Sequence, residues 1–385
     1  MRASWRIDRL GALLAIAGGA ALAGAPFIEF EPNRIVPGVP LGILVALHGA
    51  TAAAVVGAAA VAGLVAVFVA NPLLRLAASL GAFAAVALGA AAAGNAFTPA
   101  GDLIVRIAPG AGCWVALVAL GLLASDALTR LRPGPGMRVL LLAGFFAVAL
   151  AALAHGSFDH LSVMREYRSN AGRFAFEARR HVELAFGSLA AALLAGLPLG
   201  VLCHRVPRLR AGVLGSLNFV QTVPSIALFG ILMAPLGALA AAVPLAARLG
   251  VAGIGAAPAL VALFGYSLLP IVANTVAGLA RVSPAAVEAA RGMGLTRGEV
   301  LARIEWPLAL PVILTGVRIV LVQNIGLVTV AALIGAGGLG TFVFQGIGET
   351  AIDLVLLGAL PTVALAIASS VVLDALIEVV GGAKR

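Results

Sequence analysis

Stretches of about 20 apolar residues recur from end to end of this 385-residue chain, and they leave few folds open. Crossing about 30 Å of hydrocarbon takes roughly 20 apolar residues in a helix. The runs lie near 10 to 28, 41 to 70, 74 to 94, 111 to 128, 137 to 155, 184 to 203, 212 to 236, 257 to 280, 308 to 332 and 352 to 379. With 62% hydrophobic residues, only 11% charged ones and a mean hydropathy of +1.11, the chain has more apolar surface than a water-soluble domain could bury. The expectation is an all-α polytopic membrane protein of about ten transmembrane helices.

The first run also has the look of a secretory leader. "MRASWRIDRLGALLAIAGGAALAGA" offers basic residues, an apolar stretch and Ala23-Gly24-Ala25 as a cleavage site. Pro26 directly after that site argues for retention as a first span.

Charge sets the orientation. With a cytoplasmic N-terminus, ten spans place Arg2, Arg6, Arg9, Arg75, Arg130, Arg132, Arg138, Arg205, Arg208, Arg210, Arg281, Arg291, Arg297, Arg303, Lys384 and Arg385 inside. Eight of the 25 Lys and Arg residues fall outside, five of them (Arg165, Arg168, Arg173, Arg179, Arg180) in one segment, and Arg318 sits within a span. The short loops follow the positive-inside rule, so both termini are expected in the cytoplasm. The net charge of +9 then reflects topology rather than affinity for nucleic acid. Cys113 and Cys203 fall near opposite membrane faces and are not expected to pair. No P-loop, metal-ligand spacing, Ser/His/Asp or Cys/His arrangement stands out, so no catalytic, cofactor or metal residue is assigned and the chain is not expected to be an enzyme.

The basic segment "HGSFDHLSVMREYRSNAGRFAFEARRHVEL" divides the chain. Residues 1–155 form a five-span region with hardly a polar side chain, His48 being the main exception and best explained as a packed helix contact. Residues 156–181 read as an extracytoplasmic linker, and 182–385 as a second half with polar residues inside its spans.

One segment of that half is dense in charge. "EAARGMGLTRGEVLARIEWPLALP", from Glu288 to Pro311, carries three acidic and three basic residues. Ser283 followed by Pro284 is a good helix start. Gly292 and Gly294 break that helix, and Thr296 with Glu299 has capping-box spacing for a second helix, which Pro307 is expected to end. Spans close on both sides leave little room for a DNA-binding helix-turn-helix to reach a duplex. A plain connector would not need two capped helices, so residues 283–307 read as a rigid docking element for a cytoplasmic partner.

Polar residues inside spans are costly unless they pair or face a wet pathway. Asn218, Gln221 and Ser225 fall at helical spacing, and Pro224 frees a backbone carbonyl nearby. Tyr266, Pro270 and Asn274 recur at intervals of four. Gln221, Thr222, Pro224, Ser225, Tyr266 and Asn274 are therefore candidates to line a pathway, although hydrogen bonding between helices would also account for them. Gln323 and Asn324 point about 100° apart on a helix, so only one of the two is expected to face a narrow pore. Arg318 has the length to snorkel or to reach the docking loop. "GAGGLG" (335–340) matches a dinucleotide fingerprint by letter but lacks the strand before it; a close backbone turn at the outer end of a span suits it better.

Glu288-Ala289-Ala290, Gly294, Ile304 and Pro307 resemble the "EAA" loop of permease subunits of bacterial ABC importers, with Trp306 where that pattern usually has Leu. "GLPLG" (196–200), "QTVPSIALFG" (221–230), "ALFGYSLLPIVANT" (262–275), "EAARGMGLT" (288–296) and "AALIGAGGLG" (331–340) are similar to the permeases for osmoprotectants such as glycine betaine, choline and carnitine. The resemblance covers about 182 to 380, and the extra N-terminal spans fit a larger subgroup of that family. It implies a MetI-like permease core of about five helices in the bacterial inner membrane, without a cofactor. It also implies cytoplasmic ATP-binding subunits that grip the loop, an extracytoplasmic substrate-binding protein, and a second permease that is either another copy or a smaller homologue. A quaternary ammonium substrate would suit aromatic faces, for which Phe219, Phe229, Phe264, Tyr266, Phe342 and Phe344 are available. An ion-coupled secondary transporter would be expected to bury carboxylates within spans, whereas Glu349, Asp353, Asp374 and Glu378 lie toward span ends. A non-transporting scaffold would have no need of the loop.

Overall fold

In the computed structural model the described residues are 7–33, 36–99, 101–102 and 104–382; Arg2, Arg6, Lys384 and Arg385, used above to orient the chain, lie outside them. Helices α1 (Arg9–Gly24), α2 (Ile43–Ala46), α3 (Gly49–Phe68), α4 (Pro72–Phe97), α5 (Ala111–Leu131), α6 (Pro135–Ala154), α7 (Ser162–Ser169), α8 (Ala171–Arg205) and α9 (Pro207–Thr222) are followed by α10 (Ser225–Ala242), α11 (Pro244–Arg248), α12 (Ala256–Ala280), α13 (Pro284–Gly292), α14 (Arg297–Val300), α15 (Trp306–Ala331), α16 (Gly340–Gly348) and α17 (Ile352–Val380). Among the described residues, nine helices are long and apolar enough to cross a membrane, and α1 is a shorter apolar helix beside them. Every apolar run of the sequence falls largely on one or two of these helices.

The chain divides into two compact units, Met1–Gly134 with Ala143–Ser169, and Pro135–Leu142 with Asn170–Arg385. The division at Asn170 lies within the segment 156–181. Residues on both sides of it are helical, and α8 runs without interruption from Ala171 into the span.

In the first unit, α1, α3, α4 and α5 pack through small residues, the usual way for helices in lipid to approach closely. A Cβ on Gly112 would lie 2.7 Å from the Ala21 carbonyl oxygen, so only glycine fits there. A three-stranded antiparallel sheet has β1 (Ile28–Glu31) between β2 (Val39–Leu41) and β3 (Arg106–Pro109), with Ile28 opposite both Leu41 and Pro109. Phe27, Ile28 and Ile107 are fully buried in the core there. His48 is exposed at the N-cap of α3, which starts at Gly49 rather than near 41, so it is not the packed helix contact expected.

This unit is also less plain than its composition suggests. Asp8 caps α1 by accepting the Gly11 N–H at 2.8 Å and binds Arg75 of α4 at 2.9 Å. Arg75, only 3% exposed, lies 3.1 Å from Asp126 of α5, and Arg130 contacts both acids. Arg165 of the basic segment donates to the carbonyls of Val105 and Asp102, and Arg106 meets the buried Glu166 at 2.6 Å. Beside them, the Val105 and Ile104 amides, with Arg165 nearby, hold the Asp102 carboxyl below the usual carboxylate range.

The second unit is built around α8, α12 and α15, with α17 against α15 and α16 against α17. Gly200 lies so close to Thr275 that a Cβ would come within 2.5 Å of it, and a Cβ on Gly316 would come 2.9 Å from the Pro270 carbonyl oxygen. The run 212–236 is not one helix. α9 stops at Thr222 and α10 starts at Ser225, so Ser225 does not continue the helical face of Asn218 and Gln221 as the spacing suggested.

Candidate functional site

The loop after α12 is two short helices set by local chemistry. Pro284 occupies the first turn of α13, while Ser283, at the cap position, makes no side-chain cap bond, contrary to its expected role. α13 ends in a Schellman motif: the Leu295 N–H reaches the Ala290 carbonyl at 3.2 Å and the Gly294 N–H reaches Arg291 at 2.9 Å. Gly294 sits at φ +88°, in the left-handed region where glycine alone is unstrained. Thr296 and Glu299 form the expected capping box, with Thr296 N–H to Glu299 Oε2 at 2.9 Å and Glu299 N–H to Thr296 Oγ1 at 3.3 Å.

The second loop helix is not ended by Pro307. From Leu301 to Glu305 the chain makes a π turn, Trp306 N–H bonds Leu301 O, and α15 begins at Trp306 with Pro307 in its first turn. Pro307 lacks the N–H that an α-helix would give to Arg303, and the wider turn absorbs that loss without a break. α14 therefore runs on into the span α15. Glu288, Ala289, Gly294 and Pro307 are exposed, Ile304 is half-buried and Ala290 is buried beneath them. Met293, at the turn, is 71% exposed. The result is a knob with a glycine-shaped tip and a fixed base.

That base carries an ion pair the sequence reading missed. Glu305, 3% exposed, accepts a hydrogen bond from Arg205, the last residue of α8. The only signal was a carboxylate directly before an apolar run and an arginine directly after another. Arg318 does not reach the loop; it pairs with Asp374 of α17.

Among the pathway candidates, Gln221 and Tyr266 are joined. Pro270 has no N–H for the Tyr266 carbonyl four residues earlier, and Gln221 Nε2 donates to that oxygen at 2.7 Å. In return the Tyr266 hydroxyl donates to Val223 O at 2.6 Å, in the gap between α9 and α10. Thr222 and Pro224 are exposed at that gap, and Ser225 is half-buried. Asn274 is half-buried and donates to the Pro270 carbonyl of its own helix at 2.8 Å. Of the adjacent pair, Asn324 is fully buried, its amide donating to Ser188 of α8 at 2.9 Å and Ser267 of α12 at 3.0 Å, whereas Gln323 is half-buried. Asn324 is thus a tie between three helices in this conformation. Tyr266, Phe229 and Phe342 are buried and Phe219 is 70% exposed. Arg173 lies over the Phe342 ring, 5.3 Å from its centroid.

"GAGGLG" is a tight turn with Gly335, Gly337 and Gly338 at positive φ. Two of its amides are taken up from α8, the Gly338 N–H by Glu177 at 2.6 Å and the Leu339 N–H by His181 Nδ1 at 3.2 Å, and so are not free to hold a phosphate.

Residues 192–384 match the family described as binding-protein-dependent transport system inner membrane component, and residues 8–164 match the one described as ABC transporter permease YehY, N-terminal domain. The osmoprotectant import permease protein OsmW of Salmonella typhimurium is 43% identical over 51% of this chain and 87% of that protein. The glycine betaine/carnitine/choline transport system permease protein OpuCD of Bacillus subtilis is 35% identical over 54% and 84%. Among solved structures, a chain of the MetNI methionine ABC transporter in inward-facing conformations covers 54% of this chain and 95% of its own length, at 22% identity and a TM-score of 0.47. The chain belongs to the binding-protein-dependent transport system inner membrane components: it is a multi-pass permease subunit of an ABC importer, whose ATPase is a separate subunit.

Proposed function

We propose that this permease imports a small osmoprotectant such as glycine betaine or choline, delivered by an extracytoplasmic binding protein and driven by two cytoplasmic ATP-binding subunits. The substrate class rests on what the similar permeases are named for. Two permeases, two copies of this chain or this chain with a smaller homologue, enclose the pathway. Both termini lie in the cytoplasm, residues 182–385 supply the permease core, and 156–181 lie outside the membrane. Glu288, Ala289, Ala290, Gly294, Ile304 and Pro307 form the surface that the ATPase grips, and Gln221, Thr222, Pro224, Ser225, Tyr266, Asn274 and Gln323 lie along the pathway.

The observation that carries this reading is the uninterrupted run from the capped knob through the π turn into α15. A rigid connection of that kind passes ATPase closure into a span as one movement, which is what alternating access requires. The test is uptake of labelled glycine betaine and choline by vesicles holding the permease, its ATPase and its binding protein. ATP-dependent uptake of either compound that needs the binding protein supports the proposal. Uptake driven by an ion gradient without ATP would overturn it.

A further inference from the structure

The loop has a second attachment besides α15. Glu305 lies in the π turn, almost wholly buried, and its carboxylate meets the guanidinium of Arg205 at the end of α8. Arg205 also borders an open, mostly apolar groove of about 480 Å³ lined by Leu197, Pro198, Val201, Leu202, Leu301 and Trp306, and His204 and Arg210 lie near the pair. α8 is also one of the three helices tied at Asn324, and it carries Glu177 and His181, which hold the glycine turn 335–340. A push on the π turn is therefore placed to reach α8 directly.

Resting on the importer reading above, we propose that Arg205 and Glu305 are positioning residues for coupling: they lock the base of the loop to α8, so that ATPase closure moves α8 and α15 together. The chemistry supports a mechanical joint. A buried carboxylate is stable only with its partner, so the pair favours one fixed spacing of helix end and turn. The π turn supplies that spacing, because its extra residue places Glu305 on the buried side just before the span.

The test uses the complete transporter, with ATPase and binding protein, in vesicles, and reads substrate taken up per ATP hydrolysed. Arg205→Glu is expected to keep ATP hydrolysis while that ratio falls about tenfold, within the range of typical coupling between sites. Adding Glu305→Arg to it, which restores the pair with its charges exchanged, is expected to recover most of the ratio. Glu305→Gln, which keeps the shape and an acceptor but removes the charge, covers the case in which Arg205→Glu fails to insert; it is expected to lower the ratio with hydrolysis retained. An unchanged ratio in Arg205→Glu or Glu305→Gln, or an exchanged pair no better than the single variant, overturns the proposal. Uptake by the unmodified transporter that does not depend on ATP would instead bring down the importer reading, and this inference with it.

Discussion

Gln221 and Tyr266 exchange hydrogen bonds across two helices: the Gln221 amide serves the carbonyl that Pro270 leaves open, and the Tyr266 hydroxyl serves Val223 in the break before Pro224. Each side chain repairs the other helix's missing backbone bond, which matters because an unsatisfied backbone group inside a span is costly. Tyr266→Phe should lower stability by about 1 kcal/mol, and Gln221→Leu by about 1–3 kcal/mol because it strands a carbonyl. Thermal unfolding of the purified protein in detergent checks both. The double variant should cost less than the sum, and strict additivity would show the two bonds to be independent.

Asn324 gives a different test. Since its amide is used up on Ser188 and Ser267, Asn324→Leu should cost about 1–2 kcal/mol of stability and leave the KM for uptake unchanged. A raised KM in a stable Asn324→Leu protein would place the residue on the pathway after all.

Arg75 is the keystone of the first unit. Arg75→Met takes the buried cation from the half-buried Asp8 and Asp126 and leaves them only the more exposed Arg130, a loss of about 1–3 kcal/mol. Arg130 touches the same acids but is 42% exposed, so Arg130→Met should cost at most about 1 kcal/mol. Heating each variant and following the monodisperse fraction separates the two outcomes. Equal losses would mean that burial does not set the strength of this cluster.

The spans were legible in the sequence because apolar length alone dictates them, and the capping box because Thr296 and Glu299 need only local spacing. The fate of Pro307 was not. A proline usually closes a helix, and nothing in the letters says that a π turn from Leu301 to Glu305 will carry the chain through. Helical spacing failed between Gln221 and Ser225 because it assumes one helix, whereas Pro224 resets the count. The pairs Arg205 with Glu305, Glu177 with Gly338, and Arg75 with its acids join residues tens of positions apart, which only the packing of helices brings together. Composition likewise made the first half look featureless, because a handful of charges in more than a hundred apolar residues barely moves an average.

The most direct measurement is co-purification. The tagged permease is expressed with its ATP-binding subunit and isolated in mild detergent, beside Gly294→Asp and Glu288→Lys. Both positions are exposed, and a Cβ at Gly294 would meet nothing within 4 Å, so these changes alter what docks on the knob far more than the permease's own packing. Leaving glycine at φ +88° costs the loop about 1–2 kcal/mol, too little to prevent insertion. The account predicts that the ATP-binding subunit accompanies the unmodified permease and is lost from both variants, while their amounts in the membrane stay the same. Full recovery of the ATPase with Gly294→Asp and Glu288→Lys would contradict the claim that this loop is where ATP-driven motion enters the membrane.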